Sequence, residues 1–201
     1  MIRHCIIVAT FLYCGALLSG YTNIITDADF TNCRYSDDEL IAFCKAKRGA
    51  LYNSDLQWTL QCARRFGVSP LVVISKLQHE ASQIEGWSAA RAHRDLAMGY
   101  HISDKSTHGY QNQVYWGTKA LYTHFTNSRG VAFAYDKGRF RASHATVALY
   151  KYTPYWYVTR PGGWYGGNWS LYQIYYKYSD ELNTMYPRTV KLALRRVGFR
   201  L

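Results

Sequence analysis

A segment in the first half of the chain, SPLVVISKLQHEASQIEG (residues 69–86), predicts an apolar helix that carries one acidic residue on its buried side. Ser69 and Pro70 are typical of a helix start, because serine caps free backbone N–H groups and proline lacks an N–H that would stay unpaired there. Gly86 is the expected end. The spacing of one helix face predicts four inward-facing residues: Val73, Leu77, Glu80 and Ile84. Any fold of this chain must bury this helix and provide for the charge of Glu80.

Two explanations account for Glu80 on that face. A buried carboxylate costs free energy unless it is paired or protonated, so a neighbouring lysine or arginine, or a position at the solvent margin, would make it structural. The functional explanation is that burial favours the protonated form. A glutamic acid that keeps its proton near neutral pH can donate it to a glycosidic oxygen. The helix pattern alone leaves both explanations open.

The rest of the chain predicts a single domain that is mainly α-helical, α+β at most, with few or no strands. Further helices are expected at 38–47, 53–66, 112–125, 143–152 and 169–182. Capping boxes are expected at Ser36–Glu39 and Ser54–Gln57, and Gly67 is the expected end of the second helix. Residues 87–111 predict a long ordered loop with room for a small hairpin, and residues 154–167 an aromatic, glycine-rich loop.

The two ends of the chain predict export and a basic tail. Residues 1–20 begin with basic residues and continue with sixteen uncharged residues, CIIVATFLYCGALLSG. This plan is typical of a secretory signal peptide, since a membrane-spanning helix usually needs about twenty apolar residues. An uncleaved anchor is the alternative. Residues 21–35 are then expected to be a linker or an irregular lead-in, 36–187 the domain, and 188–201 a basic tail that packs as a last helix or binds a surface.

Export predicts a periplasmic or secreted bacterial protein in an oxidising compartment, where disulfides persist. Cys33, Cys44 and Cys62 remain after removal of the signal peptide, which permits one disulfide. Consecutive predicted helices favour the pair Cys44–Cys62. The alternative is that all three are small core residues.

Charge and composition indicate which classes of binding partner to expect. The net charge of +11, from 24 Lys and Arg against 13 Asp and Glu, favours anionic polymers or anionic lipid. No nucleic-acid-binding motif is present, so nucleic acid is not an expected partner. The bacterial cell wall is an expected partner, because it carries acidic groups and lies in the compartment to which the protein is expected to be exported. Nineteen tyrosines and six tryptophans suit either sugar stacking or a packed core. We expect a monomer, with membrane contact through the basic tail as a possibility.

Neither metal chemistry nor a nucleophilic serine has a signature in the chain. His79 and Glu80 resemble the start of the zinc motif H-E-x-x-H, but Gln83 stands where the second histidine belongs. The sequence also lacks G-x-S-x-G. We therefore expect no metal and no other cofactor.

Four segments after the Glu80 helix occur in a recognisable order: AMGY (97–100), NQVYW (112–116), ALYKYTPY (148–155) and GGNWSLYQIYYKY (166–178). With ISKLQHEASQI they resemble a lysozyme-like branch of the lysozyme superfamily whose catalytic helix has the pattern L-x-K-E-Q-S-L-I. More distantly they resemble lytic transglycosylases and goose-type lysozymes. The resemblance covers roughly residues 36–180. It implies a lysozyme-like helical domain with a cleft that cleaves the glycan strands of peptidoglycan, by hydrolysis or transglycosylation.

The resemblance also implies site residues. Glu80 corresponds to the general acid and base. Hydrolytic relatives use a second acidic side chain to position water, and Asp95 is the candidate here, ahead of Asp104 and Glu85. The implied substrate-binding residues are Ser82, Met98, Gly99, Tyr100, Gln113, Tyr115, Trp116, Tyr150 and Tyr152.

The chain departs from the branch pattern next to the catalytic position. His79 and Ala81 replace the lysine and glutamine that flank the glutamate, and Gln83 replaces an apolar residue. These changes leave open a non-catalytic wall-binding or adhesion protein with the same fold. A membrane-active protein that works through the tail from Val190 to Leu201 is a further alternative.

Overall fold

The structure is a computed structural model that describes residues 23–86, 93–160 and 164–187. The predicted signal peptide and the basic tail lie outside these ranges. The described residues form seven α-helices: α1 Asp27–Thr31, α2 Asp37–Ala46, α3 Asn53–Phe66, α4 Pro70–Ala81, α5 Tyr110–Thr126, α6 His144–Tyr152 and α7 Asn168–Met185. Two 3-10 helices, Arg94–Leu96 and Lys105–Thr107, lie between α4 and α5. The mainly α-helical prediction is confirmed. None of the described helices is both long and apolar enough to cross a membrane.

Two short antiparallel hairpins complete the described fold. Strand β1 (Val131–Ala134) pairs with β2 (Gly138–Arg141), and β3 (Val158–Arg160) pairs with β4 (Trp164–Gly166). Strands of three or four residues are too short for a reliable alternating pattern. This explains why β1 and β2 were not predicted and why the prediction of a plain loop over residues 154–167 is wrong for its strand residues.

Helix α4 lies at the centre of the core. It packs against α7 on one side and α3 on another, while α5 packs against both α3 and α6. Val73, Ile74 and Leu77 on α4 are fully buried. Each such side chain contributes about 1.5–3 kcal/mol through burial. The central position of α4 therefore follows from its apolar sequence.

The helix ends match the predicted signals in part. Ser36 and Glu39 form the predicted capping box, and Gly67 ends α3 in the left-handed conformation at φ 66°. The Ser54–Gln57 box is wrong, because the N-cap of α3 is Tyr52, two residues before Ser54, and the Asp55 carboxylate accepts the backbone N–H of Tyr52. Charged and polar side chains close to a helix start compete for the same donors.

Helix α4 ends at Ala81 rather than near Gly86. Ser82 adopts a left-handed conformation with φ 50°, and the side-chain oxygen of Gln78 accepts the backbone N–H groups of Ile84 and Glu85. This side chain replaces the helical hydrogen bonds of the next turn. Pro70 is the first helical residue as predicted, but the Ser69 hydroxyl forms no capping bond among the described residues.

Residues 23–35 belong to the domain, so the prediction of a linker over 21–35 is wrong for this part. Ile24 and Phe30 are fully buried. The Ile24 N–H donates to Thr146 Oγ1 at 2.8 Å, and the Phe30 ring stacks on Phe125 at 4.7 Å. A few apolar residues thus tie this segment to α5 and α6, although it is too short to show a period.

The three cysteines in the described ranges are free, so the predicted Cys44–Cys62 disulfide is wrong. Cys44 and Cys62 are buried, and burial raises the pKa of their thiols to about 12 and about 11. Such thiols stay protonated and unreactive at neutral pH. The alternative that these two residues fill the core is the one the structure supports.

Candidate active site

Glu80 lies at the C-terminal end of α4 and has an ion-pair partner on the same helix. Its Oε1 accepts a hydrogen bond from the Lys76 ammonium, one turn earlier, and another from the Thr153 hydroxyl at 3.2 Å. The Nδ1 of His79 lies 3.2 Å from the same oxygen. The side chain of Glu80 is 22 % exposed. One carboxylate oxygen is therefore held by the protein while part of the group still meets solvent.

Lys76 is the buried half of this pair. Its side chain is fully buried, its Nζ donates to Thr153 Oγ1 at 2.8 Å, and it lies 4.7 Å from the centre of the Tyr152 ring. A buried ammonium needs a counterion, because its desolvation costs several kcal/mol. Glu80 supplies that counterion, so the two side chains depend on each other.

The pair sets the protonation of Glu80. Burial raises the pKa of the Glu80 carboxyl, but the Lys76 ammonium and the His79 ring lower it by more, so its pKa lies well below the usual range. Glu80 is thus ionised at neutral pH, and the expectation that burial keeps it protonated is wrong. Lys76 is the neighbouring basic residue that the structural explanation required, and it pairs with Glu80 because residues i and i+4 lie side by side on a helix.

Gly99 brings the loop backbone close to the other carboxylate oxygen. A Cβ at this position would lie 3.1 Å from Glu80 Oε2, and Gly99 has φ 64°. Within the described ranges no hydrogen bond reaches Oε2; all the bonds to this carboxylate go to Oε1. Glycine is therefore required by close approach as well as by conformation. The AMGY segment forms a wall beside the unbonded oxygen of Glu80.

Replacing Gly99 by alanine is expected to displace Glu80 as well as to strain the backbone. The left-handed conformation costs roughly 1–2 kcal/mol for a residue with a Cβ. Gly67→Ala is the matched control, because Gly67 has φ 66° and no atom within 4 Å of its added Cβ. Thermal unfolding should show similar losses of stability in the two variants. Activity that depends on Glu80 should fall only in Gly99→Ala, and an equal fall in both would contradict this account.

Tyr152, Met98 and Gly117 join three elements behind Glu80. The Tyr152 hydroxyl donates to the Met98 carbonyl at 2.9 Å. A Cβ at Gly117 of α5 would lie 2.8 Å from both Tyr152 Oη and Met98 Cβ. Burial, with the nearby charge of Glu80, raises the pKa of Tyr152 well above its usual value. Gly117 was not among the predicted site residues, yet its small size lets α5, α6 and the AMGY loop meet.

Gln113 fixes the loop that follows AMGY. Gln113 is fully buried, and its side-chain amide forms hydrogen bonds with both backbone groups of Tyr100. Its Oε1 accepts the Tyr100 N–H at 3.0 Å, and its Nε2 donates to the Tyr100 carbonyl at 2.8 Å. The same Nε2 donates to the Thr107 carbonyl at 2.9 Å. Gln113 was predicted to bind substrate, but the structure gives it an interior positioning role.

An open groove of about 210 Å³ lies beside Gly99 and Tyr152. It is lined by Gly99, Tyr100, His101, Ala120, His124, Lys151 and Tyr152. The rings of Tyr100 and His101 stack at 4.3 Å. Burial and the nearby charge of Lys151 lower the pKa of His124. Two lining residues connect the groove to Glu80: Gly99 lies against Glu80 Oε2, and the Tyr152 ring lies 4.7 Å from the Lys76 ammonium.

The remaining predicted substrate-binding residues lie away from this groove. Tyr150 is buried and packs edge-to-face on Phe140, and Tyr115 packs on Phe66 of α3. Met98 is fully buried, so only its carbonyl takes part in the site. Trp116 is partly exposed beside Lys119, and Ser82 caps α4. Sequence order could not separate these residues from groove residues, because helix rotation decides which side each one faces.

The acidic residues considered as a second carboxylate have other roles or none. Asp104 accepts the Ser106 N–H at 2.9 Å in a surface turn, and Glu85 pairs with Lys47 and Lys177. Asp95 is exposed, and its carboxylate has no ion pair within the described ranges. No second carboxylate there shares the partners of Glu80. No group of three or more His, Cys, Asp or Glu among the described residues could hold a metal ion.

Asn168, the first residue of α7, is a further positioning residue. It is fully buried, and its Nδ2 donates to the carbonyls of Thr153 at 2.7 Å and Tyr155 at 3.1 Å. The neighbouring Gly167 has no room for a Cβ, which would lie 2.7 Å from the Trp156 carbonyl. Asn168 therefore holds the segment after α6 in place, and with it the Thr153 hydroxyl against Glu80.

Comparison of the whole chain with protein-family models, with curated proteins and with solved structures found no match.

Proposed function

We propose that this protein cleaves the glycan strands of peptidoglycan, with Glu80 as general acid and base. The observation that carries the proposal is a carboxylate anchored through one oxygen, by Lys76 and Thr153, with its other oxygen beside Gly99 at the edge of a groove. The order of the AMGY, NQVYW and ALYKYTPY segments after the Glu80 helix supports the same conclusion.

The anchored geometry suits proton transfer at Oε2. In the first step the protonated carboxyl gives its proton to the glycosidic oxygen while the bond from that oxygen to the sugar carbon breaks. In the second step the carboxylate takes a proton from the attacking hydroxyl, which belongs to water in a hydrolase or to the sugar itself in a transglycosylase. The carboxyl regains its starting form, so one group serves both steps.

The first step requires a proton that the resting ion pair does not keep at neutral pH. Substrate bound over the exposed part of Glu80 displaces water, and this desolvation raises the carboxyl pKa. The Lys76 ammonium opposes the change, because it favours the charged carboxylate. Cleavage at neutral pH is therefore limited by the small fraction of Glu80 that holds a proton.

Cleavage by the wild-type protein is expected to accelerate as the pH falls from about 7.5 to about 5, since the protonated fraction rises about tenfold per unit above the pKa. Initial rates with purified peptidoglycan in buffers of constant ionic strength measure this slope. Lys76→Met should flatten it and raise the relative rate near neutral pH, because the ammonium no longer lowers the pKa of Glu80. A wild-type rate that increases with pH would contradict the acid role.

The proposal is tested by the products. Protein lacking residues 1–20, either wild type or Glu80→Gln, is incubated with peptidoglycan and the soluble products are identified by mass spectrometry. Anhydro-sugar ends that are lost in the variant indicate a transglycosylase, and reducing ends that are lost indicate a hydrolase. Equal product release by the two proteins would overturn the proposal.

A second candidate is a wall-binding protein that cleaves nothing. The Lys76–Glu80 ion pair favours this candidate for two reasons. A carboxyl group with a lowered pKa seldom holds a proton to donate at neutral pH. Neutralisation of the buried Lys76 ammonium also explains the presence of Glu80 without catalysis. A binder would release no product in either form, and both forms would still sediment with insoluble peptidoglycan.

A further inference from the structure

Three exposed aromatic rings form a row on the β1–β2 hairpin and the segment after α6. Phe133 and Tyr135 are 45 % and 65 % exposed, and Tyr155 is 40 % exposed. The rings of Tyr135 and Tyr155 lie 5.0 Å apart with 35° between their planes, and Phe133 stands edge-on to Tyr135 at 5.2 Å. Large exposed aromatic side chains that contact one another mark an interaction surface more often than isolated ones do. We call these three residues the aromatic row.

The row is linked to Glu80 through the segment that follows α6. Thr153, whose hydroxyl donates to Glu80, precedes Tyr155 by two residues. The Tyr155 N–H donates to the Thr153 carbonyl at 2.8 Å, and the Tyr135 N–H donates to the Pro154 carbonyl at 2.9 Å. Backbone hydrogen bonds therefore connect Tyr155 and Tyr135 to the segment whose Thr153 contacts Glu80.

The backbone beneath the row is held in place before any ligand binds. The Asp136 carboxylate accepts the N–H groups of Trp156 at 3.1 Å and Tyr157 at 3.2 Å. Asn168 holds the Thr153 and Tyr155 carbonyls from the other side. A preorganised surface loses less entropy on binding than a mobile one.

Two arginines lie beside the row. Arg139 is the cross-strand partner of Phe133, and Arg141 is the partner of Val131, so these side chains share the outer face of the hairpin. Both arginines are exposed, and within the described ranges neither is within ion-pair distance of a carboxylate. Guanidinium groups bind carboxylate and phosphate in two-pronged geometry. The face therefore offers aromatic rings and unneutralised positive charge together.

We propose that the aromatic row with Arg139 and Arg141 is a second binding site for an acidic glycan, a sugar chain that carries carboxylate groups. The rings of Tyr135 and Tyr155 stack on successive sugar rings, because the faces of aromatic rings pack well against apolar C–H surfaces. The arginines bind the acid groups along the chain. This proposal rests on the proposed function only in taking the ligand to be the strand that passes Glu80.

The test measures binding rather than cleavage. Full-length wild type and variants are sedimented on ice at about pH 8, where proton-dependent cleavage is slow, with insoluble peptidoglycan or with chitin, a neutral glycan. Tyr135→Ala/Tyr155→Ala removes the rings, and Arg139→Gln/Arg141→Gln removes the charges. Ile102→Ala/Tyr122→Ala and Lys45→Gln/Lys105→Gln are matched controls at exposed positions elsewhere on the surface.

Loss of the two rings is expected to weaken binding to both glycans roughly tenfold to a hundredfold. Loss of the two arginines should weaken binding to peptidoglycan about tenfold and leave binding to chitin unchanged. The control variants should bind like wild type, and circular dichroism melting confirms that each variant is folded. Since the four substituted side chains, Tyr135, Tyr155, Arg139 and Arg141, are all exposed, folding should be retained.

Three results would overturn the site. The first is unchanged binding to peptidoglycan in both the ring variant and the arginine variant. The second is an equal loss of binding in these two variants and in the control variants. The third is that the ring and arginine variants sediment less than wild type with phosphatidylglycerol vesicles but equally with peptidoglycan, which would assign the face to a lipid surface instead. The proposed function fails separately: if Glu80→Gln releases the same products as wild type but the hairpin variants lose binding, the site stands without the enzyme.

Discussion

Glu80→Gln is expected to slow glycan cleavage by about 10²–10⁴-fold, the usual contribution of a positioned acid or base. It is also expected to lower the free energy of unfolding by about 3–5 kcal/mol, because the buried Lys76 ammonium loses its counterion. Rates of product release measure the first effect, and urea or thermal unfolding measures the second. A variant that lost activity by unfolding alone would otherwise be mistaken for a catalytic one.

The double variant Lys76→Met/Glu80→Gln separates the two effects. It removes both charges, and methionine fills much of the volume of the lysine side chain, so most of the stability should return. Activity should not return, since no carboxyl is left to transfer a proton. Recovery of cleavage in the double variant would show that Glu80 serves stability alone, and the wall-binding alternative would then be preferred.

Arg94→Met is expected to lower the free energy of unfolding by about 3–5 kcal/mol, because it strands a buried charge. Asp55 on α3 is only 4 % exposed, and its carboxylate receives two hydrogen bonds from the Arg94 guanidinium, at 2.5 and 2.6 Å. The guanidinium also lies 4.9 Å from the centre of the Tyr52 ring and 5.1 Å from that of Tyr110. The pair therefore joins α3 to the loop that leads into AMGY.

Two matched variants check this second prediction by chemical unfolding. Arg64→Met breaks an exposed ion pair with Asp37 and should cost less than about 1 kcal/mol. Asp55→Asn/Arg94→Met removes both charges and should recover part of the stability lost in Arg94→Met. Equal effects of Arg64→Met and Arg94→Met on the free energy of unfolding would contradict the prediction, because burial of Asp55 would then add nothing to the cost of losing its partner. Because Arg94 anchors the loop, Arg94→Met should also reduce binding in the groove beside Tyr100.

Local signals predicted the helices well. The Ser36–Glu39 capping box, Pro70 at the start of α4 and Gly67 at the end of α3 are each recognised within a few residues of the chain. Helix α7 was also predicted, at 169–182, close to its bounds of Asn168–Met185 in the structure. These features depend on hydrogen bonds and side-chain spacing inside one helix, so a sequence window contains all the information they need.

Other predictions failed where a distant segment supplied the deciding contact. Residues 23–35 have no period of their own and became part of the core through contacts with α5 and α6. The end of α4 was misplaced because the side chain of Gln78, rather than a glycine, replaces the last helical bonds. Tyr115 packs on Phe66 and Tyr150 on Phe140, away from the groove, because neighbouring elements decide which side of a helix is buried.

The sequence by itself determined a mainly helical domain and singled out Glu80 as the residue whose burial needs an explanation. Its partner Lys76 was also within reach of the sequence, since four residues are one helical turn. Only the tertiary structure decided that Thr153 and Gly99 contact this carboxylate and that Asn168 holds the Thr153 backbone. Those contacts join residues that are far apart in the chain, and their geometry is set by the packing of α4, α6 and α7 against one another. Helix formation depends on local interactions and can therefore be predicted from the sequence, whereas the site depends on how the helices pack together.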